Sequence, residues 1–161
     1  MSGSPNCQCF HLSGSDMADR AIIWEPTAGI DSPCAAIAFR YDPPDELQVR
    51  MYFSRVNGGP NQDLEVLFKG VIGIRWSDEF HGSIVYQAPR PAPKCRDSRW
   101  ANWVFPLLRV SESSWLATYQ ALPGTELREH FTLISMDDLL EVIALPDVEA
   151  RWVPVRESVE R

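Results

Sequence analysis

Leu47-Gln48-Val49-Arg50-Met51-Tyr52-Phe53-Ser54-Arg55-Val56 is the stretch on which the reading of the fold turns. Leu47, Val49, Met51 and Phe53 alternate with Gln48, Arg50, Tyr52 and Ser54. Successive side chains of a strand point to opposite faces. The pattern therefore predicts a half-buried antiparallel strand with the apolar set inward. Asp42-Pro43-Pro44-Asp45 breaks the chain before it, and Asn57-Gly58-Gly59-Pro60 reads as a hairpin loop after it. The return strand is predicted over Leu64–Trp76. Leu64, Val66, Phe68, Ile72, Ile74 and Trp76 are all even-numbered, which keeps one face across Gly70. Gly70 and Gly73 are read as points of sharp coiling or close approach rather than a register change.

Working outward, Ala21–Trp24 and Ala35–Phe39 are short apolar runs separated by Pro26, Gly29, Asp31 and Pro33, and both predict strands. Residues 1–19 lack periodicity and predict a disordered tail. On the other side, Ser83–Tyr86 predicts a strand. Pro89, Pro91 and Pro93, interleaved with Arg90 and Lys94 and followed by Arg96 and Arg99, predict an exposed extended loop, because proline offers no backbone donor. Trp100, Trp103, Val104, Leu107 and Leu108 have helical spacing, but Pro106 interrupts it, so a turn and then a strand at Leu107–Val110 is expected. Ser111–Leu122 is the best helix candidate. Ser111 or Ser113 would cap it, Trp115, Leu116, Tyr119 and Leu122 would form its apolar face, and Pro123-Gly124 would end it. Glu129–Ser135 and Leu139–Leu145 predict a hairpin turning at Met136-Asp137-Asp138. The rival reading is a helix from Asp137 to Ala144. Val148–Val153 predicts a last strand, and residues 156–161 a charged tail.

The fold class is thus α+β, a single domain over residues 20–155 that is mainly antiparallel β-sheet with one or two short helices. Its predicted core is Val49, Met51, Phe53, Val66, Phe68, Ile72, Ile74, Trp115, Leu116, Tyr119, Phe131, Leu133 and Ile143. A chain of 161 residues with 45% hydrophobic residues can bury such a core without covalent staples. It has no apolar run long enough to span a bilayer and no basic-then-apolar start, so the cytoplasm is expected. A net charge of −7 disfavours nucleic acid and anionic membranes as partners. Most of that charge lies from Glu126 onward, whereas the stretch from Arg90 to Arg99 is basic.

Chemistry-bearing residues are few. Cys7, Cys9, Cys34 and Cys95 are expected to be free thiols. Cys7-Gln8-Cys9 with His11 has one intervening residue and no second pair, short of a structural zinc pattern. Asp78-Glu79-Phe80-His81 offers two acids and a histidine, but Ser77, Asp78 and Gly82 read more simply as a hairpin loop. His130 falls on a predicted strand with Thr132 and Ile134, and no context ties it to Cys34 or Cys95 as a nucleophile pair. Trp100 and Trp103 suit core packing better than sugar stacking. No cofactor, metal or catalytic residue is assigned.

Ser114-Trp115-Leu116, then Arg128-Glu129-His130-Phe131-Thr132-Leu133-Ile134, then Asp137-Asp138-Leu139-Leu140-Glu141-Val142-Ile143-Ala144 form a familiar series. A Trp-bearing helix, a His-aromatic strand, and an acidic turn before an apolar strand resemble the C-terminal part of small bacterial immunity proteins of polymorphic toxin systems. The resemblance implies a protein-binding module that neutralises a toxin by direct contact, with a basic protein toxin as partner. The partner surface is then expected at Asp137, Asp138, Glu141 and Glu149. The alternative is a small-molecule-binding β-rich protein or enzyme with a pocket lined by Trp76, Tyr86, Trp100 and Trp103. An acidic decoy of nucleic acid ranks last.

Overall fold

The computed structural model describes residues 19–78 and 92–155. Its strands are β1 (Arg20–Ile23), β2 (Ile37–Asp42), β3 (Glu46–Met51), β4 (Asp63–Phe68), β5 (Gly73–Asp78), β6 (Leu107–Ser111), β7 (Glu129–Ile134), β8 (Asp138–Ala144) and β9 (Glu149–Val153). One helical turn, α1 (Ser114–Ala117), follows β6, and a 3-10 turn occupies Ser98–Trp100. The strands form a five-stranded sheet in the order β1-β6-β7-β8-β5 and a four-stranded sheet in the order β2-β3-β4-β9. Every neighbouring pair is antiparallel. The fold is α+β and mainly antiparallel β, as the alternation predicts.

The alternation in β3 positions the rest. Leu47, Val49 and Met51 stand opposite Phe68, Val66 and Leu64 of β4, and all six are buried. They pack with Leu107, Phe131, Leu133, Leu140 and Val142 of the five-stranded sheet in one hydrophobic cluster. Aromatic rings join the two sheets: Phe131 lies 5.3 Å from Phe68 and 4.6 Å from Trp24, centroid to centroid. Burying one such side chain stabilises the fold by roughly 1.5–3 kcal/mol. Of the expected core, Ile72, Ile74, Leu116 and Tyr119 are only partly buried.

The return strand is a correction. Leu64–Trp76 is not one strand: β4 and β5 belong to different sheets. The chain crosses between them at Gly70, whose φ of +61° suits glycine. A Cβ there would sit 2.6 Å from Leu145, so Gly70 also marks a close approach. The even-numbered parity is coincidental across that crossing, and Trp76 ends 59% exposed on an edge strand. The helix is also shorter than Ser111–Leu122. Glu112, with φ +55°, turns the chain out of β6, and Ser113 caps α1. Beyond Ala117 the backbone bonds run from residue i to i−3, as from Thr118 to Trp115 and from Tyr119 to Leu116, so one α-turn tightens into 3-10 geometry. Leu122 is exposed. The hairpin at Met136–Asp138 is present as β7 and β8, which removes the rival helix. The expected strand at Ser83–Tyr86, Pro89, Pro91 and the terminal segments 1–18 and 156–161 lie outside the described residues. Among the described residues no helix is long and apolar enough to cross a membrane.

Candidate functional site

The polar half of the β3 alternation defines the site. With Val49 and Met51 inward, Gln48 and Arg50 must face outward, and the register carries that polarity across the four-stranded sheet. Ala38, Arg50, Glu65 and Arg151 form one row over β2, β3, β4 and β9. Arg40, Gln48, Leu67 and Glu149 form the next. These rows line a concave groove of about 600 Å³, with Tyr52 also in its wall.

The groove is charged, and its charges are fixed to one another. Arg50 donates to Asp63 at 3.1 Å, to Glu65 at 3.3 Å and to the Pro154 carbonyl at 2.8 Å. Glu65 also accepts from Arg151 at 2.9 Å. Arg40 reaches Asp42 at 2.8 Å and Gln48 at 3.2 Å. Asp63 is buried and accepts a further 2.6 Å bond from the Ser54 hydroxyl. Arg55 stacks on Tyr52, its guanidinium carbon 4.1 Å from the ring centroid. Exposed ion pairs add little stability singly. Their effect here is to hold long side chains in fixed positions along a surface.

Acids flank the groove. Lys69 holds Glu149 by a direct ion pair, whose hydrogen bond keeps the Glu149 carboxyl below its usual range. Asp147 and Glu46 lie in the field of the same lysine.

The four acids expected to bind a partner are not one patch. Asp137 is exposed and Asp138 half-buried in the β7–β8 turn. That turn sits beside Cys34, through a backbone bond from Met136 to the Cys34 carbonyl and the Cys34–Ser135 bridge, close to the start of β2. Glu149 lies beyond the other end of β8, on the groove itself. Glu141 is a correction: it is 5% exposed and contributes nothing to a surface. From Leu139 on, β8 is buried on both faces, so the Glu141 carboxylate has nowhere to reach water.

Glu141 instead belongs to an arrangement that the sequence did not disclose. Its Oε1 lies 3.2 Å from His130 Nε2, and His130 Nδ1 lies 2.7 Å from Ser113 Oγ. Ser113 Oγ already accepts from the Leu116 amide at 2.9 Å, so its own proton can go to Nδ1. With Nδ1 accepting, the ring N–H stands on Nε2, facing Glu141. The 3.2 Å contact lacks hydrogen-bond alignment, and Thr132 Oγ1 beside it is likewise unpaired. Ser, His and Glu are residues of nucleophilic catalysis, but the Trp115 ring closes over His130 at 5.2 Å and all three are buried. Neither the groove nor the smaller cavity beside Cys34 is lined by them. The trio ties α1 to the sheet. The strand register, Thr132 opposite Glu141, was the signal that would have found it.

The aromatic residues of the alternative reading are dispersed. Trp76 stands on β5, Trp100 in the 3-10 turn, and Tyr86 and His81 lie outside the described residues. Trp103 lines a smaller cavity of about 230 Å³ against Cys34, apart from Trp76 and Trp100. Burial pushes the Cys34 thiol up to about 12 and the Cys95 thiol up to about 11, which leaves both protonated. Cys7, Cys9 and His11 lie outside the described residues. Among the described residues no three metal-ligating side chains are grouped. No family model, no curated protein and no solved structure matches this chain.

Proposed function

We propose that this chain is a protein-binding module that works by gripping another protein, in the manner of the immunity proteins its C-terminal part resembles. The observation that carries the reading is the open groove of the four-stranded sheet. No helix of the described chain covers it, and its Arg50–Glu65–Arg151 row is held in place before any partner arrives. A preorganised surface loses little side-chain entropy on association. Phe39 and Tyr41, 41% and 42% exposed on the edge strand β2, stand opposite Val49 and Leu47 on the other face from Ala38 and Arg40, so they add apolar area at the sheet edge beside the groove.

The partner in this reading is a basic protein toxin. Asp137 and Asp138 lie in the turn beside Cys34, near the start of β2, and Glu46, Asp147 and the Lys69-paired Glu149 lie near the other end of the strands that carry the groove, so negative charge stands near both ends of those strands. Such charge steers a basic partner over roughly 8–10 Å at physiological salt. The test is capture from cells of the source organism on the immobilised chain, followed by association kinetics with Asp137→Lys and Asp138→Lys together. Retention of a basic polypeptide, with association slowed about tenfold by the double reversal at low salt, supports the reading. Retention of nothing, or of a partner indifferent to both the reversal and salt, overturns it.

A further inference from the structure

Beyond the groove, the small cavity between the β7–β8 turn and the segment before β6 has the build of a ligand site. Its apolar walls are Trp103, Val104, Ile134 and Met136, and Cys34 lies at its base. Two backbone bridges frame it: Cys34 with Ser135 on one side, Lys94 with Val104 on the other. Further bonds fix the frame, from Met136 N to Cys34 O at 3.0 Å and from Cys95 N to Trp103 O at 2.9 Å. The cavity is therefore shaped by backbone rather than by mobile side chains.

Its polar groups are unequal. Cys34 Sγ donates to the Ala36 carbonyl at 3.1 Å, and Ser135 Oγ is engaged with Asp138. Both are spent within the protein. Lys94 is different. Its ammonium makes one long bond, 3.3 Å to the Asn102 carbonyl, and among the described residues no carboxylate pairs with it. An ammonium has three donors, so donors remain for a ligand. The volume of about 230 Å³ exceeds the ~150 Å³ at which an apolar cavity accepts one benzene ring. Trp103, 43% exposed, supplies a ring face at the mouth.

We propose that this cavity binds a small anion consisting of one aromatic ring and a carboxylate, the ring between Trp103 and Met136 and the carboxylate on Lys94. A ring without charge would use only the walls, and a cationic ring would be repelled by the ammonium. The site is separate from the groove, and it shares the β7–β8 turn with the proposed partner surface without requiring a partner.

The test is titration of the full chain with benzoate, benzyl alcohol and benzamidine, followed by amide and indole N–H chemical shifts. Benzoate should give saturable shifts, up to about 10 mM ligand, at Trp103, Val104 and Met136. Benzyl alcohol should bind more weakly at the same residues, and benzamidine should not bind there. Lys94→Gln keeps the stem and removes the charge from an exposed position. It should weaken benzoate about fivefold and leave benzyl alcohol unchanged. Absence of saturable shifts at these residues would overturn the proposal. So would shifts confined to another surface, or equal binding of benzoate and benzamidine. Benzoate affinity unchanged by Lys94→Gln would overturn it as well.

Discussion

Asp63 places a carboxylate under the edge of the charged groove, with Arg50 and Ser54 as its partners. Its side chain is 2% exposed, and that of Arg50 11%. Removing one partner of such a pair leaves the other without compensation, so Asp63→Ala should cost about 3 kcal/mol. Gln48→Ala, exposed on the same face, should cost under about 0.5 kcal/mol. Urea unfolding of the two variants checks both values. Cys34 gives a second prediction, in pH. Burial raises its folded pKa from 9.0 to about 12, so the folded state holds the thiol proton more tightly than the unfolded state does. That contribution is intact below about pH 9 and is lost as pH rises toward 12. At pH 10 the loss is about 1.4 kcal/mol. Unfolding free energies at pH 8 and pH 10 should therefore fall further for the wild type than for Cys34→Ala. Equal falls would contradict the burial of the thiol.

At the scale of elements, α1 is a single turn that could not persist by its own propensity. It is held from both ends of its contact with the sheet. Ser113 caps it and binds His130, Asp19 accepts from Ser114, and Trp115 lies against Gly73 under the Arg75 guanidinium. Ser113→Ala removes the cap and orphans His130 Nδ1, and should cost about 2 kcal/mol. Gly73→Ala brings a methyl group to 2.8 Å from the Trp115 ring and 3.1 Å from Tyr119 Oη. It should cost about 1–3 kcal/mol by overpacking, read as a lowered midpoint of thermal unfolding. How much of this was legible follows from burial. In β3 one face meets the core and the other meets water, so the alternation of Leu47–Phe53 states the fold directly. In β8 both faces are covered from Leu139 on, so Leu139–Ala144 reads as an apolar run broken by one acid, and Glu141 passes for a surface acid. The crossing at Gly70 was concealed for another reason. A strand that changes sheets can keep its parity by chance, and the positive φ and the Leu145 contact show why glycine is required there. The hairpin at Asp137-Asp138 was legible because turn residues separate two apolar runs. The burial of the Ser113–His130–Glu141 trio was not, because its members meet only through sheet register and a helix cap.

At the scale of the whole molecule, one core holds two sheets whose outer faces differ. The five-stranded sheet has α1 over His130 and Gly73, whereas the four-stranded sheet carries on its outer face the largely buried Arg50, the partly buried Glu65 and the exposed Arg151. If the open face is the binding surface, replacing Arg40 and Arg151, whose side chains are 68% and 78% exposed, by Ala should weaken a captured partner by at least about tenfold through the loss of short-range arginine contacts. Stability of the double variant should stay within about 1 kcal/mol of wild type, because exposed pairs contribute little. The most direct measurement is amide hydrogen exchange of the chain alone and in complex with the captured protein. The expected result is slowed exchange along Ile37–Asp42, the edge strand of the open face, and in the Asp137–Asp138 turn, with α1 unchanged. Slowed exchange confined to α1 and β1, with the edge strand unaltered, would contradict the account.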